Sequence, residues 1–176
     1  VLQPRVSVSP TSARRSRFAQ VFADQEGLDP YTSAVSDVYQ DLFAEGSFVG
    51  KGLYDLKVFD AVLRARVPNG TVLSHDLLEG LFTRAGLVSD IELFDDMPSH
   101  YLAASLRRHR WIRGDWQISP WLFGSPPRED GQRLPNPLSL ISRWKIADNL
   151  RRSLLPGRAR RCARGLHASY CICLSP

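Results

Sequence analysis

Apolar residues recur at two spacings along this chain, and the switches between those spacings divide it into elements. Alternation over residues 2–8 (Leu-Gln-Pro-Arg-Val-Ser-Val) predicts a short strand, with Pro4 near its start where a missing N–H does least harm. Residues 9–16 read as a polar turn region. Phe18, Val21 and Phe22 predict a short helix ended near Gly27, and Asp29-Pro30 begins a turn. Val35, Val38, Tyr39, Leu42 and Phe43 share one helical face and predict a buried helix over 33–43. A second helix starts with Asp55 as cap and Val58, Phe59, Val62 and Leu63 as its buried stripe. Pro68-Asn69-Gly70 is a turn.

The stretch 71–86 holds the first concentration of chemistry. Thr71, Val72 and Leu73 form a short β-branched run leading to a helix that Ser74 caps. Leu77, Leu78, Leu81, Phe82 and Ala85 make its apolar face, and Gly86 is the expected C-cap. Asp76 and Glu79 lie on the other face, near the positive end of the helix dipole and just beyond a strand end, where ligands collect in open α/β sheets. Acids in a first turn also arise simply because the dipole favours them. Residues 87–94 predict a strand, 95–98 a loop, and Ser99 a cap for a helix over 101–116.

That helix carries Arg107-Arg-His-Arg-Trp-Ile-Arg-Gly-Asp-Trp-Gln117, in which Arg107, Arg110, Trp111 and Gly114 share one face. Guanidinium groups pair bidentately with phosphate oxygens, and an indole face suits a sugar ring. A solvated basic face with Trp111 and Trp116 as anchors is the competing reading. The loop 45–52, Glu-Gly-Ser-Phe-Val-Gly-Lys-Gly, resembles a phosphate-binding P-loop but has three residues between its first two glycines and Gly52 after Lys51, so it fails that pattern. Gly50 and Lys51 stay candidates for close approach to a ligand, against a plain tight turn.

Pro and Gly are frequent across 118–136, and 126–136 is a connector. Within 137–155 an apolar stripe of Leu140, Ile141, Trp144, Ala147, Leu150 and Leu154 is flanked by Arg143, Lys145, Arg151 and Arg152. Such a helix suits a membrane interface, and a core-packing helix has the same pattern. The remainder, 156–176, is aperiodic and basic, and reads as disordered or out of frame.

Composition sharpens this picture in one respect. The net charge is +5, yet six of the 23 basic residues lie after residue 150 and all 18 acids before it, so the body carries 17 bases against 18 acids. A nucleic-acid-binding body is therefore not indicated, and a basic module for nucleic acid or an anionic membrane surface is the alternative reading, resting on the second arginine helix and the tail. With 43% hydrophobic residues the chain can bury a core. All three cysteines, Cys162, Cys171 and Cys173, lie in the tail without a Cys-x-x-Cys pair, which supports neither a disulfide framework nor a zinc site. Asp76 and Glu79, one turn apart, are poorly placed to flank a glycosidic bond as a hydrolase pair. Val1 in place of an initiator methionine leads us to expect a piece of a longer protein.

Several of these stretches resemble one family. Residues 2–6 (Leu-Gln-Pro-Arg-Val), 31–52, Ser74-His-Asp-Leu-Leu-Glu-Gly80 and His109-Arg-Trp-Ile-Arg-Gly-Asp-Trp-Gln117 are similar to the glycosyltransferase domain of bacterial cyclic β-1,2-glucan synthases, in glycosyltransferase family 84. The resemblance covers about residues 1–155. It implies an α/β fold, a partial GT-A nucleotide-sugar fold over 1–125 followed by an amphipathic interface helix, related to processive family 2 enzymes such as cellulose synthase. Asp76 falls at the aspartate of their Thr-Glu-Asp motif, the general base. Arg107, Arg110 and Trp111 fall on their Gln-x-x-Arg-Trp motif, which binds nucleotide diphosphate and acceptor, with Arg107 replacing the glutamine. The implied reaction is transfer of glucose from UDP-glucose to a β-1,2-glucan acceptor, with a divalent cation (Mg or Mn). Its ligands, including an Asp-x-Asp absent here, lie upstream. Gly50, Lys51 and Glu79 are expected to support substrate binding. The implied location is the cytoplasmic face of the bacterial inner membrane, with transmembrane helices following residue 155 and no specific nucleic-acid partner. We expect the C-terminal half of the transferase domain, truncated or frame-shifted near Pro156 and inactive alone.

Overall fold

A computed structural model describes residues 1–22, 37–64, 66–72, 76–132 and 134–154. Ser74 and His75, the first four residues (33–36) of the helix expected over 33–43 and the tail from 155 onward lie outside the described residues. The elements are β1 (Leu2–Val8), α1 (Pro10–Ala13), α2 (Arg17–Phe22), α3 (Val38–Phe43), α4 (Leu56–Leu63), α5 (Asp76–Thr83), β2 (Gly86–Asp95), α6 (Tyr101–Gln117), a 3-10 turn (Ser119–Leu122) and α7 (Leu140–Leu154). The chain is thus mixed helix and strand, as an α/β reading requires, with β1 and β2 paired in parallel. Their register jumps between Pro4, opposite Val88, and Arg5, opposite Glu92, so three residues of β2 bulge out beside the proline.

A buried cluster of Leu78 and Leu81 from α5, Ile118 and Trp121 around the 3-10 turn, and Leu138, Ile146 and Leu150 in and before α7 forms the core. It holds α5 by its apolar face. The opposite face of α5 is covered by residues 46–50, which run along the helix in an extended line. Gly46 meets Ala85, Phe48 meets Gly80, and Gly50 meets Asp76. The two repeats are commensurate. Between Phe48 and Gly50 two residues of extended chain advance about 6.6 Å, and the four helical residues from Gly80 to Asp76 advance about 6 Å. Glycine is needed at three of these contacts because a Cβ would lie 2.6 Å from the Ala85 carbonyl oxygen at Gly46, 2.5 Å from Phe48 Cβ at Gly80, and 2.5 Å from Asp76 Oδ2 at Gly50.

Both ends of this line are fixed by buried polar side chains. At one end, Asp37 caps α3 by accepting from the N–H groups of Tyr39 (2.9 Å) and Gln40 (3.1 Å), and also accepts from Ser47 N–H (2.8 Å). Lys145 of α7 donates to the carbonyls of Glu45 (2.9 Å) and Gly46 (3.1 Å) and stands over the Tyr39 ring. Ser142 donates to the Glu45 carboxylate (2.7 Å). At the other end, buried Gln3 accepts from Val49 N–H (3.0 Å) and donates to the Lys51 carbonyl (3.1 Å).

Several sequence expectations need correction. Gly86 is not the C-cap of α5, since it opens β2, and Arg84 instead takes the left-handed conformation (φ 57°) with its N–H bonded to the Gly80 carbonyl. Thr71 and Val72 lie in the turn that follows Pro68, not in a strand, so α5 does not stand beyond a strand end there. Ser99 does not cap α6; His100 holds that position and makes no side-chain cap bond. Residues 10–13 form a helical turn inside the expected polar turn. The stripe of α4 is not buried, Val58 being 60% exposed, and in α3 only Tyr39 is buried. In α7 the covered face is Ser142, Lys145, Ile146 and Leu150, while Leu140, Trp144 and Leu154 of the expected stripe face outward. Among the described residues no helix is long and apolar enough to cross a membrane.

Candidate functional site

Parallel strands leave their backbone dipoles and loop starts open at the carboxyl end. Asp95, Asp96 and Arg107 lie there, and Lys51 reaches it from a segment whose backbone is bonded to Gln3 near the amino end of β1. The extended line arrives at the first turn of α5, where the Asp76 carboxylate lies flat against Gly50. Gly50 has φ +85°, a left-handed conformation that side chains with a Cβ resist, so both backbone and space at this point demand glycine. Asp76 and Glu79 both stand in that first turn, as expected, and both are half-buried. Glu79 uses its backbone carbonyl to accept from the Thr83 hydroxyl (2.7 Å).

The next residue, Lys51, forms an ion pair with Asp95 at the carboxyl end of β2. Asp95 is the functional candidate that sequence reasoning passed over, placing it in a plain loop. Its signal was present: a carboxylate closing a strand, followed by a second, Asp96. Partial burial works to raise the Asp95 carboxyl, and the Lys51 hydrogen bond and charge, the Asp96 N–H and the Arg107 charge together outweigh it, holding the group below its usual 3.8. Asp95 Oδ1 accepts from Asp96 N–H at 3.0 Å.

α6 approaches the same end. Ala104, Gly114 and Ile118 are buried at helical spacing, and Arg107 and Trp111 fall on the same side of the helix. Arg107 Nη1 donates to the Asp96 carbonyl (3.4 Å), and its guanidinium lies 5.0 Å from the Trp111 ring centre. Stacking on an indole fixes a guanidinium while leaving its donors available. Trp111 is 42% exposed, so part of its ring is open to solvent. Arg110 is exposed on the neighbouring side of α6, outside this chain of contacts.

The structure thus joins Asp76, Gly50, Lys51, Asp95, Arg107 and Trp111 in sequence, with a carboxylate at one end and an arginine–indole pair at the other. Glu79 and Arg110 flank the line. Such a surface can accept a proton at Asp76, neutralise an anion with two or three cations, and stack a flat apolar ring. Among the described residues no group of three or more His, Cys, Asp or Glu side chains could hold a metal ion. The described residues do not supply the divalent-cation site that the resemblance implies.

Comparison with known proteins bears out the resemblance read from the motifs. Over 157 residues, 89% of the chain, the sequence is 50% identical to cyclic beta-(1,2)-glucan synthase NdvB of Rhizobium meliloti (strain 1021). The matched segment is 5% of that protein's length, so the chain spans a small part of the relative. No family model matches the chain.

Proposed function

We propose that this chain is part of a membrane-associated glucosyltransferase that transfers glucose from UDP-glucose to a growing β-1,2-glucan. The observation that carries the reading is the contact of Asp76 with Gly50, which puts a carboxylate one residue from Lys51 and on the same line as Arg107 and Trp111. In that reading the Asp76 carboxylate takes the proton of the acceptor hydroxyl as its oxygen attacks the anomeric carbon of glucose. The bond to the diphosphate breaks on the opposite face, and its electron pair leaves with UDP. Arg107, Arg110 and Lys51 neutralise the charge that develops there. Trp111 gives the acceptor sugar a platform. A divalent cation, if the complete enzyme uses one, is held by carboxylates other than these, and the roles above are assigned without it.

The same proposal places α7 at the cytoplasmic face of the inner membrane. Its outward residues Leu140, Trp144 and Leu154 form an exposed apolar strip on a helix whose other face is packed in the core. The segment alone is proposed to be inactive, because uridine- and metal-binding carboxylates would come from elsewhere in the longer protein.

Transfer of radiolabelled glucose by the full-length protein carrying this segment tests the reading. Asp76→Asn keeps the shape and removes the base, and should lower kcat by about 10²- to 10⁴-fold with little change in KM for UDP-glucose. Activity retained within a few-fold would remove Asp76 from the base role.

A further inference from the structure

Lys51 and Arg107 belong to different elements, the extended line over α5 and the helix α6, and neither is placed by its own backbone alone. What joins them is the turn at the end of β2. The Asp95 carboxylate binds Lys51 Nζ, and the next residue's carbonyl accepts from Arg107 Nη1. Asp95 is itself oriented, because its other oxygen, Oδ1, accepts from Asp96 N–H. The strand end is fixed in turn, since the Asp95 carbonyl accepts from Ser9 N–H (2.8 Å) and Met97 N–H donates to the buried Ser12 hydroxyl (3.0 Å). Lys51 is held from behind by Gln3, which takes its carbonyl. The strand end therefore presents the Asp95 carboxylate to Lys51 and the adjacent Asp96 carbonyl to Arg107.

The Lys51 and Asp95 side chains are each 40% exposed, so a solute can reach the pair. Exposed pairs of this kind are weak, and a group with several negative charges competes well against a single carboxylate. We propose that Asp95 is an internal stand-in for a diphosphate group: it keeps Lys51 and Arg107 aligned in the empty site and is displaced when the diphosphate of the nucleotide donor binds. The proposal rests on the glycosyl-transfer reading for the identity of the anion. It makes Asp95 a positioning residue, acting through Lys51 and Arg107 and not on the sugar.

The test titrates inorganic diphosphate into the isotope-labelled 176-residue chain at low ionic strength, following the backbone amides of Gly50, Lys51, Asp96 and Arg107. These local signals exclude binding to the arginine-rich tail. Asp95→Asn removes the competing charge, and diphosphate affinity at these amides should rise roughly three- to tenfold. Adding Lys51→Met to Asp95→Asn should abolish the gain. Asp95→Ser should act in the same direction, and thermal melting reports whether each variant is folded. In the unaltered protein, saturation with diphosphate should shift the Asp95 side-chain carboxyl resonance, a reading that needs no variant. Diphosphate that binds at these amides equally or more weakly in Asp95→Asn, or that leaves the Asp95 resonance unmoved, overturns the stand-in role and leaves the anion site standing. Diphosphate that moves none of these amides in any variant overturns the anion site, and the stand-in role with it.

Discussion

Gly50→Ala probes the contact on which the candidate site is built. An added Cβ would lie 2.5 Å from Asp76 Oδ2, 2.6 Å from Cγ and 2.8 Å from Oδ1, at a residue with φ +85°. Two penalties follow. Holding alanine in a left-handed conformation costs about 1–2 kcal/mol. Forcing a side chain into filled space costs about 1–3 kcal/mol. The carboxylate is half-buried and can swing outward, so the expected total is about 2–3 kcal/mol. Gly70 supplies the internal control: it has φ +74° with nothing within 4 Å of the added Cβ, so Gly70→Ala meets the first penalty alone. Urea unfolding of the three proteins should rank the original chain above Gly70→Ala and Gly70→Ala above Gly50→Ala. In thermal melts each kcal/mol corresponds to roughly 2–4 °C for a chain of this size. Removing the obstructing group by Asp76→Ala should then bring the Gly50→Ala penalty down to that of Gly70→Ala, a coupling of about 1 kcal/mol or more. If Gly50→Ala is no worse than Gly70→Ala, or is unchanged by Asp76→Ala, the carboxylate does not rest on Gly50 and the geometry of the site is wrong.

Two further outcomes are expected. Lys145→Met strips the donor from two buried carbonyls and the counter-charge from Glu45, and should cost about 3 kcal/mol in urea unfolding; Glu45→Gln in the same chain should recover at least about 1 kcal/mol, and a loss below that in the single variant would show that the buried pair does not anchor the loop. The Asp95 carboxyl is held below 3.8, so its contribution to stability is complete above that pH and is lost as pH falls through the lower folded-state value. Carbon-13 titration should place its midpoint below 3.8 and move it upward in Lys51→Met; an unchanged midpoint would show that Lys51 does not bind it.

Local pattern carried most of the elements. β1 follows from alternation over a few residues, β2 from its β-branched and aromatic run, and α6 from its long helical span, because each signal is contained in neighbouring residues. The pairing of Asp76 with a glycine-bearing loop was legible as two separate features, and Lys51, Arg107 and Trp111 as candidates, but not their order along one line. The failures share a cause. Periodicity tells which face of a helix is apolar, not which face is covered. In α7 the covered face contains Lys145 and Ser142, because Glu45, some hundred residues away in sequence, supplies their partner. In α4 the apolar stripe lacks a buried residue. Asp95 escaped notice because its meaning comes from Lys51 and Arg107, which arrive from elsewhere in the chain.

The parallel pairing of β1 with β2 also has a temporal consequence. Val8 is paired with Asp95, and everything between them must exist before the sheet can close. At translation rates of about 5–20 residues per second, the first strand waits roughly 4 to 17 s on the ribosome for its partner. Closing so long a crossover is slow, because the entropy of the loop is lost before any ladder bond returns it. During that interval α3 can form, yet Lys51 has no Asp95 and the glycine line has no Lys145 to hold it. The site at the strand end therefore cannot be assembled until α6 has followed β2, and a synthesis pause before residue 95 would leave the earlier elements without the Lys51–Asp95 pair and without the arginine–indole pair of α6.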